Sequence, residues 1–199
     1  MYVPTVEYVS LDAVAVRASI DVVARTTSDD LSKPTPCRAW TLYGLLAHMA
    51  TQHYGFAAAS HGDDDPALWK LRDLGDDPVK SYSASAEHVL AAFAEDGVTE
   101  RQFPLPEFGP GLSFSGSQAI SFHFIDYVVH SWDVAKSLGT TVTFTPKVLE
   151  AAHAVAQVVP TGDVRLTPGA AFATDLTWSG DDPLDQIVAH LGRSPHWPA

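Results

Sequence analysis

Between Phe122 and Trp132 the chain reads FHFIDYVVHSW, and His123, Asp126 and His130 within it can each bind a metal or carry a proton. In a helix advancing about 100° per residue, Asp126 and His130 stand one turn apart, with His123 between them around the axis. The Phe, Ile and Val residues around them mark the segment as buried, and buried polar groups need partners. A second apolar segment, LYGLLAHMA, sets His48 among Leu45, Leu46 and Met49. Two imidazoles and one carboxylate from facing helices form a ligand set found on catalytic zinc and on non-haem iron. Such a set leaves a coordination position open for water or substrate. His48, Asp126 and His130 are therefore the candidate ligands. His123 is either a partner behind that set or a replacement for Asp126 as third ligand. The competing reading is plainer: each histidine a core residue bonded to backbone, and Asp126–His130 a simple hydrogen bond along one helix.

The other reactive side chains carry weaker signals. His53 lies five residues beyond His48, rotated off its face, and is not expected to coordinate. His88 and His153 fall inside other helical patterns as core or surface residues, while His61, His190 and His196 sit near element ends. Cys37, in TPCRAW beside Arg38, has the neighbour that would lower a thiol pKa for nucleophilic work. A lone free cysteine is more often a small buried apolar side chain, and that reading is preferred. Gly-rich phosphate loops, Walker motifs and a Gly-x-Ser-x-Gly elbow are missing, which argues against nucleotide binding and serine hydrolysis.

The elements that must position these groups are mostly helical. Val16, Ile20, Val23 and Thr27 recur at helical spacing in an amphipathic helix over 11–27. Pro34 and Pro36 interrupt, and Thr41 then caps a long apolar helix over 42–60. A polar loop leads to a helix over 79–97 with Gly97 as its stop. The Pro- and Gly-rich stretch QFPLPEFGPGLSFSGS reads as an extended connection or a short hairpin. The helix bearing Asp126 and His130 runs from about Ser117 to Gly139. TTVTF, 140–144, looks like a strand, and Thr145–Pro146 opens a further helix closed by Pro160 and Gly162. Beyond it come a short extended piece and a last helix over 184–191. The expectation is a mainly α chain, 1–199, folded as one domain: an antiparallel helix bundle with a small C-terminal appendage over 160–199.

The 199 residues carry a formal charge of −12 with 46% hydrophobic side chains, which suits a globular fold and lacks the basic footprint of a nucleic-acid binder. Acidic pairs and triplets at Asp29-Asp30, Asp63-Asp64-Asp65, Asp76-Asp77 and Asp181-Asp182 read as solvated turns. The single cysteine excludes an internal disulfide. The first residues have no basic-then-apolar pattern of a secretory signal, and no run approaches a membrane span. A cytoplasmic location is expected.

Three segments, TPCRAWTLYGLLAHM, DYVVHSWDVAKSLG and LDQIVAHLGRSPHW, taken in order, resemble the DinB-like metal-binding family related to mycothiol-dependent maleylpyruvate isomerase. The resemblance implies a DinB-like four-helix bundle holding a divalent metal, zinc first and nickel or iron as alternatives, through His48, Asp126 and His130. In the isomerase the acidic ligand is Glu, so Asp126 is one methylene short, and His123 could take over. The resemblance also implies mycothiol or another low-molecular-weight thiol as cosubstrate, a small electrophile as acceptor, and S-transferase or isomerase chemistry; a homodimer is one outcome. The isomerase carries a larger C-terminal domain, so maleylpyruvate itself is not the implied substrate, and Arg38, Arg165 and Arg193 are unranked candidates for binding an anionic one. No catalytic residue is assigned. The alternative is a non-catalytic metal-binding or stress-response bundle.

Overall fold

The computed structural model describes residues 7–37, 40–167, 170 and 172–198. Among these residues six α-helices dominate: α1 (Tyr8–Val23), α2 (Leu42–Ser60), α3 (Pro78–Phe93), α4 (Gly116–Ser137), α5 (Pro146–Val158) and α6 (Pro183–His190). Strands β1 (Gln102–Pro104) and β2 (Ser113–Ser115) form one antiparallel hairpin, with Phe103 opposite Phe114. The mainly helical architecture with a C-terminal extension agrees with the sequence expectation.

Local chemistry sets most helix starts. The Thr41 hydroxyl accepts the Gly44 amide at 3.3 Å, and Thr145 does the same for Val148 at 3.4 Å. The acidic clusters do more than solvate turns. Asp65, Asp77 and Asp182 each accept amides at the start of a helical turn, and Asp30 closes a capping box with Thr27. Each such cap is worth about 1 kcal/mol. Two boundaries and one element differ from expectation. α1 ends at Val23 because Thr27 is engaged in that capping box. α3 ends at Phe93, and Gly97 serves a later turn at φ 71°. Thr140–Phe144 forms no strand: among the described residues the sheet contains only β1 and β2, and Val142 and Phe144 pack on the helical core instead.

α1 packs on α4, α4 on α2, α2 on α3 and α3 on α1, a closed ring of four. Contacts along the interfaces give the directions. Tyr8 meets Phe124 and Arg25 meets Thr140, so α1 and α4 run together. His48 meets His130 while His53 meets His123, so α2 opposes α4. Tyr43 meets Leu74 and Tyr54 meets His88, so α3 follows α2. The bundle is thus antiparallel as two pairs. That arrangement requires the 61–77 connection to return the length of α2, about 28 Å at the helical rise. Phe103 and Leu105 of the hairpin are fully buried with Phe56, Phe93 and Ile120, closing one end. Gly116 lets α4 begin there, since a Cβ would lie 1.9 Å from the Val98 carbonyl oxygen.

The C-terminal residues dock on the bundle. Ile187, Val188 and Leu191 join the main core, and Lys136 Nζ donates to the Pro195 carbonyl at 3.0 Å. The buried Arg165 side chain donates to the carbonyls of Pro160, Ala173 and His190, tying the irregular segment together. Among the described residues no helix is long and apolar enough to cross a membrane.

The bundle interior also holds a polar chain. His123 Nδ1 lies 2.6 Å from Asp12 Oδ1, and its Nε2 lies 3.3 Å from His53 Nδ1. All three residues are fully buried. With Asp12 accepting, His123 donates to it and His53 donates to His123, leaving His53 Nε2 a bare buried acceptor. Tyr127 lies against both rings at 4.2 Å, and its hydroxyl donates to the Met49 carbonyl, joining α4 to α2. Burial, reinforced by His123, pushes the His53 pKa well below the ordinary histidine range. The unfolded chain therefore binds a proton that the folded state refuses, and stability falls as pH drops below about 6.5. Between pH 6.5 and 5.5 this histidine alone should cost about 1 kcal/mol. Urea melts at the two pH values should show that loss in the wild type and a smaller one in His53→Phe.

Candidate metal centre

α4 presents Asp126 and His130 on one face, with His130 Nε2 3.3 Å from Asp126 Oδ1. α2 crosses opposite and adds His48, whose ring stands 5.3 Å from that of His130 and nearly perpendicular to it, at 83°. One ligand atom from each of the three residues lies within 4.8 Å of the others. Trp40, just before the Thr41 cap, stacks on His48 at 4.3 Å and 23°, which fixes the imidazole plane. The His130 side chain is 3% exposed and that of Asp126 25%, so solvent reaches the group from the Asp126 side.

Behind the trio, His130 Nδ1–H donates to Asp133 Oδ2 at 2.9 Å. Arg193 Nη2 donates to the same oxygen at 3.3 Å, and Nη1 to the Leu191 carbonyl at 3.0 Å. Asp133 and Arg193 are both buried. A histidine whose Nδ1 is held by a buried carboxylate keeps its ring orientation and points Nε2 at the site. The C-terminal extension, by delivering Arg193, thus reaches into the support of His130.

The charges are strongly coupled. Burial, with the neighbouring His130 charge, pushes His48 down to about 4, so at neutral pH it is an uncharged imidazole with a lone pair to give. Burial would lift Asp126, but His130 and His48 outweigh it and hold the carboxyl below its usual range. Burial likewise opposes the His130 charge, yet Asp126 and Asp133 override it and raise that histidine to about 9. Asp133, despite burial, stays ionised beside Arg193 and His130. A cation bound here would replace the His130 proton against the same two carboxylates.

The other expected residues are placed as follows. His123, either a partner behind the trio or its third ligand on the sequence reading, has both ring nitrogens engaged by Asp12 and His53. Helical spacing puts it on the right side of α4 but a turn too far along. His53 lies off the His48 face as expected, inside that internal chain. His88, His153, His61 and His196 are exposed, and His190 bonds the Ala156 carbonyl. Arg38 lies outside the described residues. Arg165 is committed to backbone carbonyls. Cys37 and Arg193, with Phe172 and Trp197, line a cavity of about 480 Å³. A shallow hollow of about 530 Å³ beside His61, Glu95 and Arg101 lies at the far end of α2, some 18 Å along the helix from His48.

Sequence reasoning missed four residues. Asp133 was legible at i+3 from His130, the spacing at which helix neighbours meet. Asp12 sits on the core stripe of α1 with Ala15, Val16 and Ser19, where an acid is itself a signal. Gln52, one turn beyond His48, is 8% exposed and donates to Glu107 at 3.0 Å. Glu107 comes from the hairpin, where no periodicity points inward.

Two Mycobacterium tuberculosis proteins, Rv0738 and MT0763, both named as uncharacterized, are 30% identical to this chain over 182 residues, covering 87% of it and 90% of each of them. The crystal structure of the mycothiol-dependent maleylpyruvate isomerase shares the fold with a TM-score of 0.59 at 14% identity, over 75% of this chain and 68% of that one. A histidine-to-alanine variant of that enzyme matches at 0.56 and 11%, with the same coverage. The model for the mycothiol maleylpyruvate isomerase N-terminal domain matches residues 13–135, from α1 through the trio. The chain belongs to that family.

Proposed function

We propose that His48, Asp126 and His130 hold a divalent cation, and that the protein is a thiol-dependent S-transferase or isomerase acting on a small electrophile. The observation that carries the reading is the convergence of three ligand atoms within 4.8 Å from two helices. The residues fit such an ion. His48 is kept neutral, Asp126 is kept ionised, and His130 is oriented by Asp133 and Arg193. The shorter Asp126 arm still reaches the group. Zinc suits three nitrogen and oxygen ligands with one position open, ahead of nickel or iron. A bound cation would lower the pKa of a thiol brought to it.

The protein's own residues do the remaining work. Trp40 and the buried His130 wall off one side of the site, leaving approach from the Asp126 side. Arg193, also on the wall of the neighbouring cavity, is buried and paired with Asp133, so its charge is already balanced. The family relation favours mycothiol or a similar small thiol as cosubstrate.

Zinc at about a hundred-fold over its Kd should raise the melting temperature of the wild type by roughly 5–10 °C. His48→Ala should lose that shift. A metal-free protein whose melting is indifferent to zinc and nickel would remove the site reading. Asp133→Asn should weaken zinc 10- to 100-fold or so, by freeing the His130 ring, as read by competition with a chromogenic chelator. Zinc-loaded wild type should consume a low-molecular-weight thiol with an electrophile faster than His48→Ala. Equal rates with intact zinc binding would leave the non-catalytic metal-binding bundle.

A further inference from the structure

The tip of the β1–β2 hairpin is fastened to the two helices that carry the trio, one turn along each. Residues Pro106–Phe108 form a 3-10 turn there. Phe108 stacks on Phe122 at 5.2 Å and 26°, and Phe122 stands one turn before Asp126 on α4. On the other side Glu107 Oε2 accepts from Gln52 Nε2 at 3.0 Å, and Gln52 stands one turn beyond His48 on α2. The carboxyl of Glu107 is therefore tied to α2 one turn from His48 by a buried amide, while the residue as a whole remains exposed at the hairpin tip.

The surroundings poise it between charge states. Desolvation of the carboxyl raises Glu107 to about 7, with the Gln52 hydrogen bond opposing and the Asp126 charge adding to the rise. From α2, His48 stays neutral, and Asp126 of α4 is the charge that acts on the carboxyl. The 3-10 turn Pro66–Trp69, which packs alongside, contributes no titratable side chain. A group that titrates near neutrality next to a reacting centre is suited to move a proton in both directions. The described acids around the trio are otherwise committed: Asp126 to His130, and Asp133 to His130 and Arg193.

We infer that Glu107 is the proton carrier of this site, taking the proton from the incoming thiol and returning it to the electrophile. The inference rests on the proposed thiol chemistry of the trio. With an α,β-unsaturated carbonyl acceptor the step balances as follows. The S–H bond breaks and its proton passes to the Glu107 carboxylate. A sulfur lone pair then forms the S–C bond at the β-carbon, and the C=C pair shifts to the enolate. The Glu107 carboxylic acid gives the same proton to the α-carbon, which restores the carboxylate. Thiol and acceptor are the only reactants, and no oxidant or reductant enters.

Glu107→Gln keeps an oxygen that accepts from Gln52, so the hairpin should stay in place. The first measurement is thiol-independent. Carboxyl ¹³C shifts of the metal-free protein, with Glu107 assigned by its loss in Glu107→Gln, should show an inflection above pH 6. An inflection in the ordinary range near 4 overturns the proposal, whether or not a thiol binds. The second measurement titrates N-acetylcysteine into zinc-loaded protein at pH 7.5 in buffers of different ionisation enthalpy, which counts protons released. The wild type should release fewer than Glu107→Gln, by roughly half a proton or more. Equal release also overturns the proposal. Failure of N-acetylcysteine to bind either protein counts against the thiol reading of the trio, and the carboxyl titration then decides on Glu107 alone.

Discussion

The α2–α4 interface has to satisfy an unusual number of buried polar groups. A buried imidazole or carboxylate without a partner costs several kcal/mol, and this interface contains His48, His53, His123, Asp126 and His130 within a few turns. The structure resolves them into two sets. One, Asp12–His123–His53, lies wholly inside the core. The other, His48–Asp126–His130, opens toward solvent at Asp126. Tyr127 lies between them, stacked on the inner histidines and bonded to the α2 backbone. Spacing between α2 and α4 is therefore set by the inner set, and the outer one inherits it.

Other elements serve that outer set from three directions. The Trp40 ring arrives through the segment ahead of the Thr41 cap. The C-terminal extension arrives through α6 and brings Arg193 to Asp133. The hairpin brings Glu107 to Gln52. Each contact is anchored by apolar burial elsewhere: Leu191 and Ile187 for the extension, Phe103 and Leu105 for the hairpin. Such division of labour is what a positioned site requires, since ligand geometry is only as good as the shell supporting it.

The parts of the fold legible in the sequence are those governed by neighbours along the chain. Thr41 and Thr145 announce their helices through cap chemistry, and Asp126 and His130 announce a shared face through their spacing. His48 was legible as an unpartnered polar group in an apolar run. What depended on distant partners was hidden. Asp12 and His123 are 111 residues apart, and neither position alone says which histidine is closed off inside. Likewise TTVTF has strand propensity, but without a neighbouring strand the core claims Val142 and Phe144. The Asp clusters looked like solvated turns because capping needs only local amides, which composition does not reveal.

Two imidazoles and one carboxylate, those of His48, His130 and Asp126, are proposed to share one cation. X-ray absorption at the zinc edge of protein loaded with one equivalent tests it most directly. A shared cation should give two imidazole nitrogens and one carboxylate oxygen in the first shell at about 2.0–2.1 Å, with one nitrogen scatterer lost in His48→Ala. A first shell of sulfur, or of water oxygens alone, or a spectrum unchanged in that variant, would contradict it.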